Sequence, residues 1–592
     1  MTEESPQRGI DVKEFISNNK ERYDTFSSLQ ERLNNITQET IADTIKFVQD
    51  NSNIFFKDRS NAIFFVFTIR SFALVNFKKL ELVLDVCANF ATELKNVDVS
   101  EFDIIRIFVL FFSAINYLFS KNMISIQTII HEANYFKELF INFLPEIEQY
   151  DPELARSRER LFTSFNPNRK LLEFYNFVKE YPKRHIFYRK VNYNQSFLHK
   201  SIRNDDLSSF QSLLEENAYS VNEKIEYSYY ERTITADRNP SLIQTAALYG
   251  SLNIFKFLWE QNDIIIDENL LAYAYSGRNH DIIQLCETKC SDGGALLYAI
   301  QTRQQDLVDI FIENKANQIE EIPEVKEQLA NFVDPDDANN KYKILNYNLL
   351  KGAVAISNFP LFLPNLKKIV YIIENIEDNS KELNSKKSSF FDSCFFDIEL
   401  FKFFYSHKSS KFIFCGDDYH NYSEAVFYGA NDAVRFLIEH ESPEDLLKLF
   451  RIFIRRSNVM ANMILDLQLK RKEEGKEEYF NYFKQNIRAE DVVTLVTYYD
   501  EDLFVKMVES FGLMNTVDDQ SEIVGTFPYF LSRKMIQSLI PRITPILSFA
   551  QLTCLATLFF KLGYSDFGEM VLKSRPEDET YKKLKEMTSP DH

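Results

Sequence analysis

The chain has 592 residues and a net charge of -19, from 68 Lys+Arg against 87 Asp+Glu, and 45% of it is hydrophobic. That length exceeds one compact core and requires either about three or four domains or one elongated array of repeats. The apolar share excludes wholesale disorder, and the acidic balance disfavours nucleic acid and anionic membrane surfaces as partners.

Only 13 Gly and 16 Pro occur beside 55 Phe and 30 Tyr. Few breakers and many bulky apolar residues favour stacked helices over turn-rich β-sandwiches, so an all-α chain is expected. Cys87, Cys286, Cys290, Cys394, Cys415 and Cys554 show no framework spacing, which suits free thiols in a reducing compartment. The polar start MTEESPQRGIDVKEF carries neither a signal-peptide nor a transit pattern, and a cytoplasmic location is expected.

Residues 1–10 read as a flexible N-terminus and 11–185 as a helical N-terminal domain. Apolar residues recur there at helical spacing, as in Ile41, Ile45, Val48 and again Leu139, Phe140, Phe143, Leu144. The pattern predicts about seven amphipathic helices, with Pro145, Pro152 and Pro167 as stops. Two apolar runs, 63–75 and 104–119, are interrupted by Arg70, Arg106 and Asn116. Both fall short of the ~20 apolar residues a spanning helix needs and are expected to be buried in protein.

Beyond Pro182 the chain repeats itself. SFLHKSIRNDDLSSFQSLLEEN from Ser196, SLIQTAALYGSLNIFKFLWEQN from Ser241, NLLAYAYSGRNHDIIQLCETK from Asn269 and GALLYAIQTRQQDLVDIFIENK from Gly294 superpose without internal gaps. Each predicts a short helix carrying small residues, a polar break and a second helix rich in Leu, Ile and Phe. Small side chains in the first helix allow neighbouring pairs to approach closely.

These segments resemble the ankyrin repeat, whose pattern runs T-P-L-H-x-A-A-x-x-G-H-x-x-V-V-x-x-L-L. Leu198, Ile243, Leu271 and Leu296 match its first Leu, and Ser201, Ala246, Ala274 and Ala299 its first Ala. The pattern's histidine survives only as His199. Its turn glycine survives only as Gly250 and is Asp205, Arg278 and Arg303 elsewhere. The resemblance is to the expanded, divergent ankyrin families of unicellular eukaryotes. It implies a helical solenoid of ankyrin-like helix pairs, with four repeats over 186–320, a helical N-terminal array and at most short β-hairpins.

Equivalent leucines are 45, 28 and 25 residues apart, against ~33 in the family. The long interval alternates Ile225, Tyr227 and Tyr229 with Glu226, Ser228 and Tyr230, as in a projecting two-stranded finger. Residues 321–341 read as a linker, 342–575 as a further helical, ankyrin-like region and 576–592 as a tail. Within that region, residues 423–440 place Ala425, Gly429, Val434 and Leu437 in register, and helix pairs are expected near Asp397 and Leu555.

The common phosphate-loop, dinucleotide, zinc-protease and serine-hydrolase signatures do not occur. His131-Glu132 is followed by Tyr135 where a zinc helix needs a second His. Cys286 and Cys290 lie four apart, with Cys286 on a repeat core position and no second ligand pair nearby. Cys415 to His420 supplies carboxylates and a histidine, and Asp334 begins like a calcium loop without its glycine or its final glutamate. Each is expected to be structural, so no enzyme activity, cofactor or metal is expected.

The ankyrin resemblance implies binding of a protein on the concave face, where first helices expose side chains. The residues assigned to it are Lys200, Arg203, Tyr249, Tyr273, Tyr298 and Tyr428, with Tyr227, Tyr229 and Tyr230 from the finger. Tyrosine and arginine combine apolar area with a polar handle. An excess of acidic residues across 192–315 favours a partner with a basic surface. The alternatives are that Tyr273 and Tyr298 pack between repeats, that a terminal helical region is an enzyme with an unrecognised site, or that the chain assembles with itself. The sequence leaves the oligomeric state open.

Overall fold

The structure, a computed structural model, describes residues 11–574 except 110, 134, 157–168, 192–193, 195, 218, 227, 232–238, 268, 291–294, 316–318, 320–324, 327–328, 330–331, 333–339, 341, 375–393, 408–429, 440–441, 455–457, 476, 488–490, 492–500, 512–532, 548 and 562–563. The described residues are all-helical and contain a single isolated antiparallel bridge, Lys224 to Ser241. Two compact units arise: 1–124 with 186–421, and 125–185 with 422–592. They cut across the expected blocks 11–185, 186–320 and 342–575, because the early helices close their core with segments far along the chain. Phe15 stacks on Phe403 at 4.1 Å and Phe67 on Phe396 at 4.2 Å, while Tyr23 packs 4.8 Å from Phe359.

The first unit begins with α1 (Val12–Asn34), α2 (Ile41–Asp50), α3 (Ser52–Phe55), α4 (Arg59–Val75), α5 (Leu80–Ala88), α6 (Ala91–Asn96), α7 (Glu101–Ile107) and α8 (Phe112–Ser120). Asp11 starts α1 by accepting the amides of Lys13 and Glu14, and Ser100 and Asp103 form a reciprocal capping box on α7. α4 is apolar on nearly every side and therefore central, packed by α1, α3, α5 and α7. It contains the first apolar run considered above. No helix among the described residues is long and apolar enough to cross a membrane.

Five helix pairs follow. They are α9 (Phe197–Arg203) with α10 (Leu207–Asn217), α11 (Leu242–Tyr249) with α12 (Leu252–Trp259), α13 (Leu270–Gly277) with α14 (His280–Glu287), α15 (Ala295–Gln301) with α16 (Gln305–Lys315), and α17 (Tyr347–Ala355) with α18 (Phe359–Phe362). First helices pack in succession, α9 on α11, α11 on α13, α13 on α15 and α15 on α17, and so do the second helices α10, α12 and α14. Ala246, Ala274, Ala299 and, in the fifth pair, Ala353 are fully buried at these seams. The unit continues through α19 (Leu366–Ile372) and α20 (Ile398–Ser406).

Every first helix ends the same way. Asp205, Gly250, Arg278, Arg303 and Ser357 all have φ between 52° and 67°. The amide of each bonds back three residues, to Ile202, Ala247, Tyr275, Ile300 and Val354. The next amide reaches the small core residue in four pairs, with Asp206 to Ser201, Ser251 to Ala246, Gln304 to Ala299 and Asn358 to Ala353 at 2.8–3.0 Å. This left-handed helix stop favours glycine because a Cβ is crowded there. Four pairs place a side chain at that position nonetheless, and three of those side chains make contacts in the neighbouring pair.

The second unit is also helical. In it Pro443–Phe453 packs on Asn458–Glu473 and Glu477–Asn486, and Phe549–Lys561 on Ser565–Lys573, the pair expected near Leu555. A Cβ on Gly568 would lie 2.8 Å from the Phe560 ring, which makes that last hairpin close. The helix Lys137–Asn142 ends ahead of Pro145 and Leu144–Tyr150 ends ahead of Pro152, as expected of stops, and Pro145 also opens the second of these helices, where its missing amide is harmless. Pro152 likewise begins a helical turn, and Pro167 is outside the described residues. Of the expected unit at 423–440, Val434 is buried in the helix Asn431–Ile438, while Ala425 and Gly429 lie outside the described residues.

Candidate interaction site

The side chains at the turns tie each pair to the next. Asp205 accepts the amides of Asn253 at 3.1 Å and Ile254 at 3.0 Å, and so caps α12 in the following pair. Arg278 donates to the Thr302 carbonyl at 2.7 Å, and Arg303 donates to the Ile356 carbonyl. Returning bonds run from Ser251 Oγ to the Ile202 carbonyl at 2.6 Å, from Asn279 Nδ2 to the Gly250 carbonyl at 3.0 Å and from Gln304 Nε2 to the Tyr275 carbonyl. These acceptors lie at helix C-termini, where unpaired carbonyls and the helix dipole favour donors and cations.

The N-terminal helices pack along this row. Lys78 donates to the Tyr249 carbonyl at 2.6 Å and lies over the Tyr249 ring, and Gln30 donates to the Ser357 carbonyl. Arg303 stacks 4.4 Å from the centre of Phe72 in α4, and burial pushes its pKa down to about 9. Burial, and then the nearby Arg278 charge, lower the Lys78 ammonium.

This packing bears on the tyrosines assigned to a partner. Tyr249 is 5% exposed and Tyr273 is 3% exposed, so neither presents a ring to a partner, contrary to the expectation. Tyr273 belongs to a helix packed on both sides by first helices, which favours the core role weighed for it. Tyr298 is half-buried, Lys200 is exposed and Arg203 is half-buried. Tyr227 and Tyr428 lie outside the described residues.

The described part of the finger is docked against the helices. Its base pairs through Ile225 N to the Pro240 carbonyl at 2.8 Å and Leu242 N to the Glu223 carbonyl at 3.1 Å. Beyond the base, Tyr230 stacks edge-on with Tyr188 at 5.7 Å, and its carbonyl accepts Ser113 Oγ. Glu231 accepts the Tyr249 hydroxyl, His199 Nε2 at 3.1 Å and the Asn194 amide at 3.0 Å. Burial alone would raise the Glu231 carboxyl, but the His199 hydrogen bond and charge, with the Tyr249 and Asn194 donors, hold it below its ordinary value. His199 meets the Tyr249 ring edge-on at 5.1 Å.

Sequence reasoning missed Glu231, Lys78 and the fifth pair. The signal for that pair was present in Leu350, Ala353 and Ser357-Asn358, which repeat the spacing of Leu271, Ala274 and Arg278-Asn279. Several aromatics near the start of the pairs stay accessible. Phe197 is 76% and Phe187 59% exposed, and Tyr229 and Tyr230 are half-buried. Among the described residues no group of three or more His, Cys, Asp or Glu side chains is arranged to hold a metal. Compared with protein-family models, curated proteins and solved structures, the chain matches none.

Proposed function

We propose that this chain is a non-enzymatic, ankyrin-type scaffold that holds another protein. The observation that carries the reading is the recurrence, in five successive helix pairs, of a buried small residue four positions before a left-handed turn. That is the register of the ankyrin pattern, and it continues beyond the four repeats legible at first. The binding surface comprises Lys200, Arg203, Tyr229, Tyr230 and Tyr298, which keep exposed area where Tyr249 and Tyr273 do not. A partner with a basic surface suits the acidic excess of the segment. The free thiols among the described residues fit a reducing compartment such as the cytoplasm.

The test is affinity purification from the native cell with two variants. Joint replacement of Tyr229, Tyr230 and Tyr298 by Ala, with Lys200→Glu, is expected to lose the bound proteins while the chain stays folded, with a small drop in the unfolding midpoint from the lost Tyr230–Tyr188 contact. Tyr249→Phe is expected to retain them. An unchanged set of bound proteins with the first variant refutes the assignment.

A further inference from the structure

The third helix pair ends on two thiols. Cys286 is fully buried in the last turn of α14, and Cys290 follows beyond the helix end, half-buried. The Cys290 amide donates to the Cys286 carbonyl at 2.8 Å, which sets the two residues one turn apart on the same side of the chain. The two side chains are near enough for Cys290 to raise the Cys286 thiol above its ordinary value. Between them in sequence, Lys289 holds its ammonium 4.6 Å from the ring centre of Trp259, the chain's only tryptophan.

We propose that Cys286 and Cys290 are a redox pair that closes to an intramolecular disulfide by exchange with a small-molecule disulfide, fixing the end of α14. Cys290 reacts first, because it is accessible and Cys286 is not. Its thiol loses a proton and the thiolate attacks one sulfur of the small disulfide. That S–S bond breaks, one small thiolate leaves, and a mixed disulfide remains on Cys290. Cys286 then gives up its proton and attacks the Cys290 sulfur, releasing the second small thiolate. Two protein thiols are oxidised, one small disulfide is reduced to two thiols, and the two protons lost by the protein reside on those products.

The order is built into the site. The hydrogen bond to Cys290, then burial, then the charges of Cys290 and Glu287 raise the Cys286 thiol far above its ordinary value. A mixed disulfide on Cys290 removes that sulfur's charge and weakens its hydrogen bond, so Cys286 becomes a nucleophile only when it has something to resolve. Residues four apart within a helix hold their Cβ atoms about 5–6 Å apart, beyond the roughly 3.5–4.5 Å of a disulfide. Cys290 lies past the last helical residue, so closure moves the turn at 288–290 and leaves α14 intact. The movement displaces Lys289, which lies over Trp259.

The experiment equilibrates the reduced full-length chain in glutathione buffers of rising oxidised fraction, quenches it by alkylation and maps the peptides by mass. The expected result is a Cys286–Cys290 crosslink lacking two hydrogens. It should appear together with a shift in Trp259 emission, and dithiothreitol should reverse both. Cys290→Ser should abolish crosslink and shift while leaving Cys286 reduced. The proposal is overturned by a glutathione adduct that accumulates on Cys290 without closing, by both thiols staying reduced at every ratio, or by Cys290→Ser giving the wild-type emission change.

Discussion

Replacing Gly277 by alanine sets local propensity against packing. Within a helix, alanine is better than glycine by about 1 kcal/mol, so the change would ordinarily stabilise. Here a Cβ on Gly277 would lie 1.9 Å from the Ala247 carbonyl oxygen and 3.0 Å from that of Leu248. An ordinary carbon–oxygen contact is about 3.3 Å, so α11 and α13 must part by roughly 1.4 Å at this point. A gap of about 0.5–1 Å already forfeits a quarter to a half of a dispersion contact. The contacts at risk are those of Ala246, Ala247 and Ala274, all fully buried. Overpacking of this kind costs about 1–3 kcal/mol, and the clash is with backbone that cannot rotate away, so the net loss is expected near 2 kcal/mol. Gly250→Ala is the control. Its new Cβ meets nothing closer than 3.4 Å, and only the φ of +67° opposes it, a penalty of about 1 kcal/mol. Urea unfolding followed by Trp259 emission compares the two. A Gly277→Ala midpoint at or above wild type, or a larger loss for Gly250→Ala, would refute the close-approach argument.

Two further perturbations probe how the first unit is held. Asp397 pairs with Arg22 at 3.0 Å with both side chains largely buried, and it also caps α20 through the Leu400 amide. Asp397→Ala strands the guanidinium and should destabilise by about 3–5 kcal/mol, measured as a urea midpoint; a wild-type midpoint would contradict the pairing. Glu231→Gln should lose about 1.5–3 kcal/mol at neutral pH. Because the folded Glu231 carboxyl titrates below its unfolded value, its contribution is complete above the unfolded pKa and disappears as pH falls through the folded one. The stability gap between wild type and Glu231→Gln should therefore narrow in acid, and a constant gap across that window would show that the charge is idle.

Helix content and register were legible because they follow from local pattern. Leu198, Ile243, Leu271 and Leu296 lie where the first helices bury them, and the small residues three positions on lie at the seams. Exposure was harder to read. Tyr249 and Tyr273 occupy outward positions of an isolated helix pair, and only contacts from elsewhere in the chain decide their burial. Lys78 is 171 residues from the carbonyl it meets, a separation no local period encodes. Glu231 was likewise invisible, since an acid in a tyrosine-rich finger reads as solvated until His199 and Tyr249 are seen to converge on it. The fifth pair was hidden by the step of 54 positions from Arg303 to Ser357, about twice the 28 and 25 of the two steps just before it.

The same contrast explains the missing turn glycines. A left-handed φ disfavours a side chain by about 1–2 kcal/mol, so three losses of glycine look like erosion of the repeat when only the pattern is visible. In the folded chain Asp205, Arg278 and Arg303 each reach the following pair, by capping α12 or by donating to the Thr302 and Ile356 carbonyls. A charge-assisted hydrogen bond contributes about 1.5–3 kcal/mol, enough to offset the strained backbone at each turn. Glycine persists at Gly250, where Asn279 of the next pair already donates to its carbonyl and Lys78 serves the adjacent one. The side chains at Asp205, Arg278 and Arg303 therefore answer to groups of the following pair, amides in one case and carbonyls in two, a property of the stack that no single repeat contains.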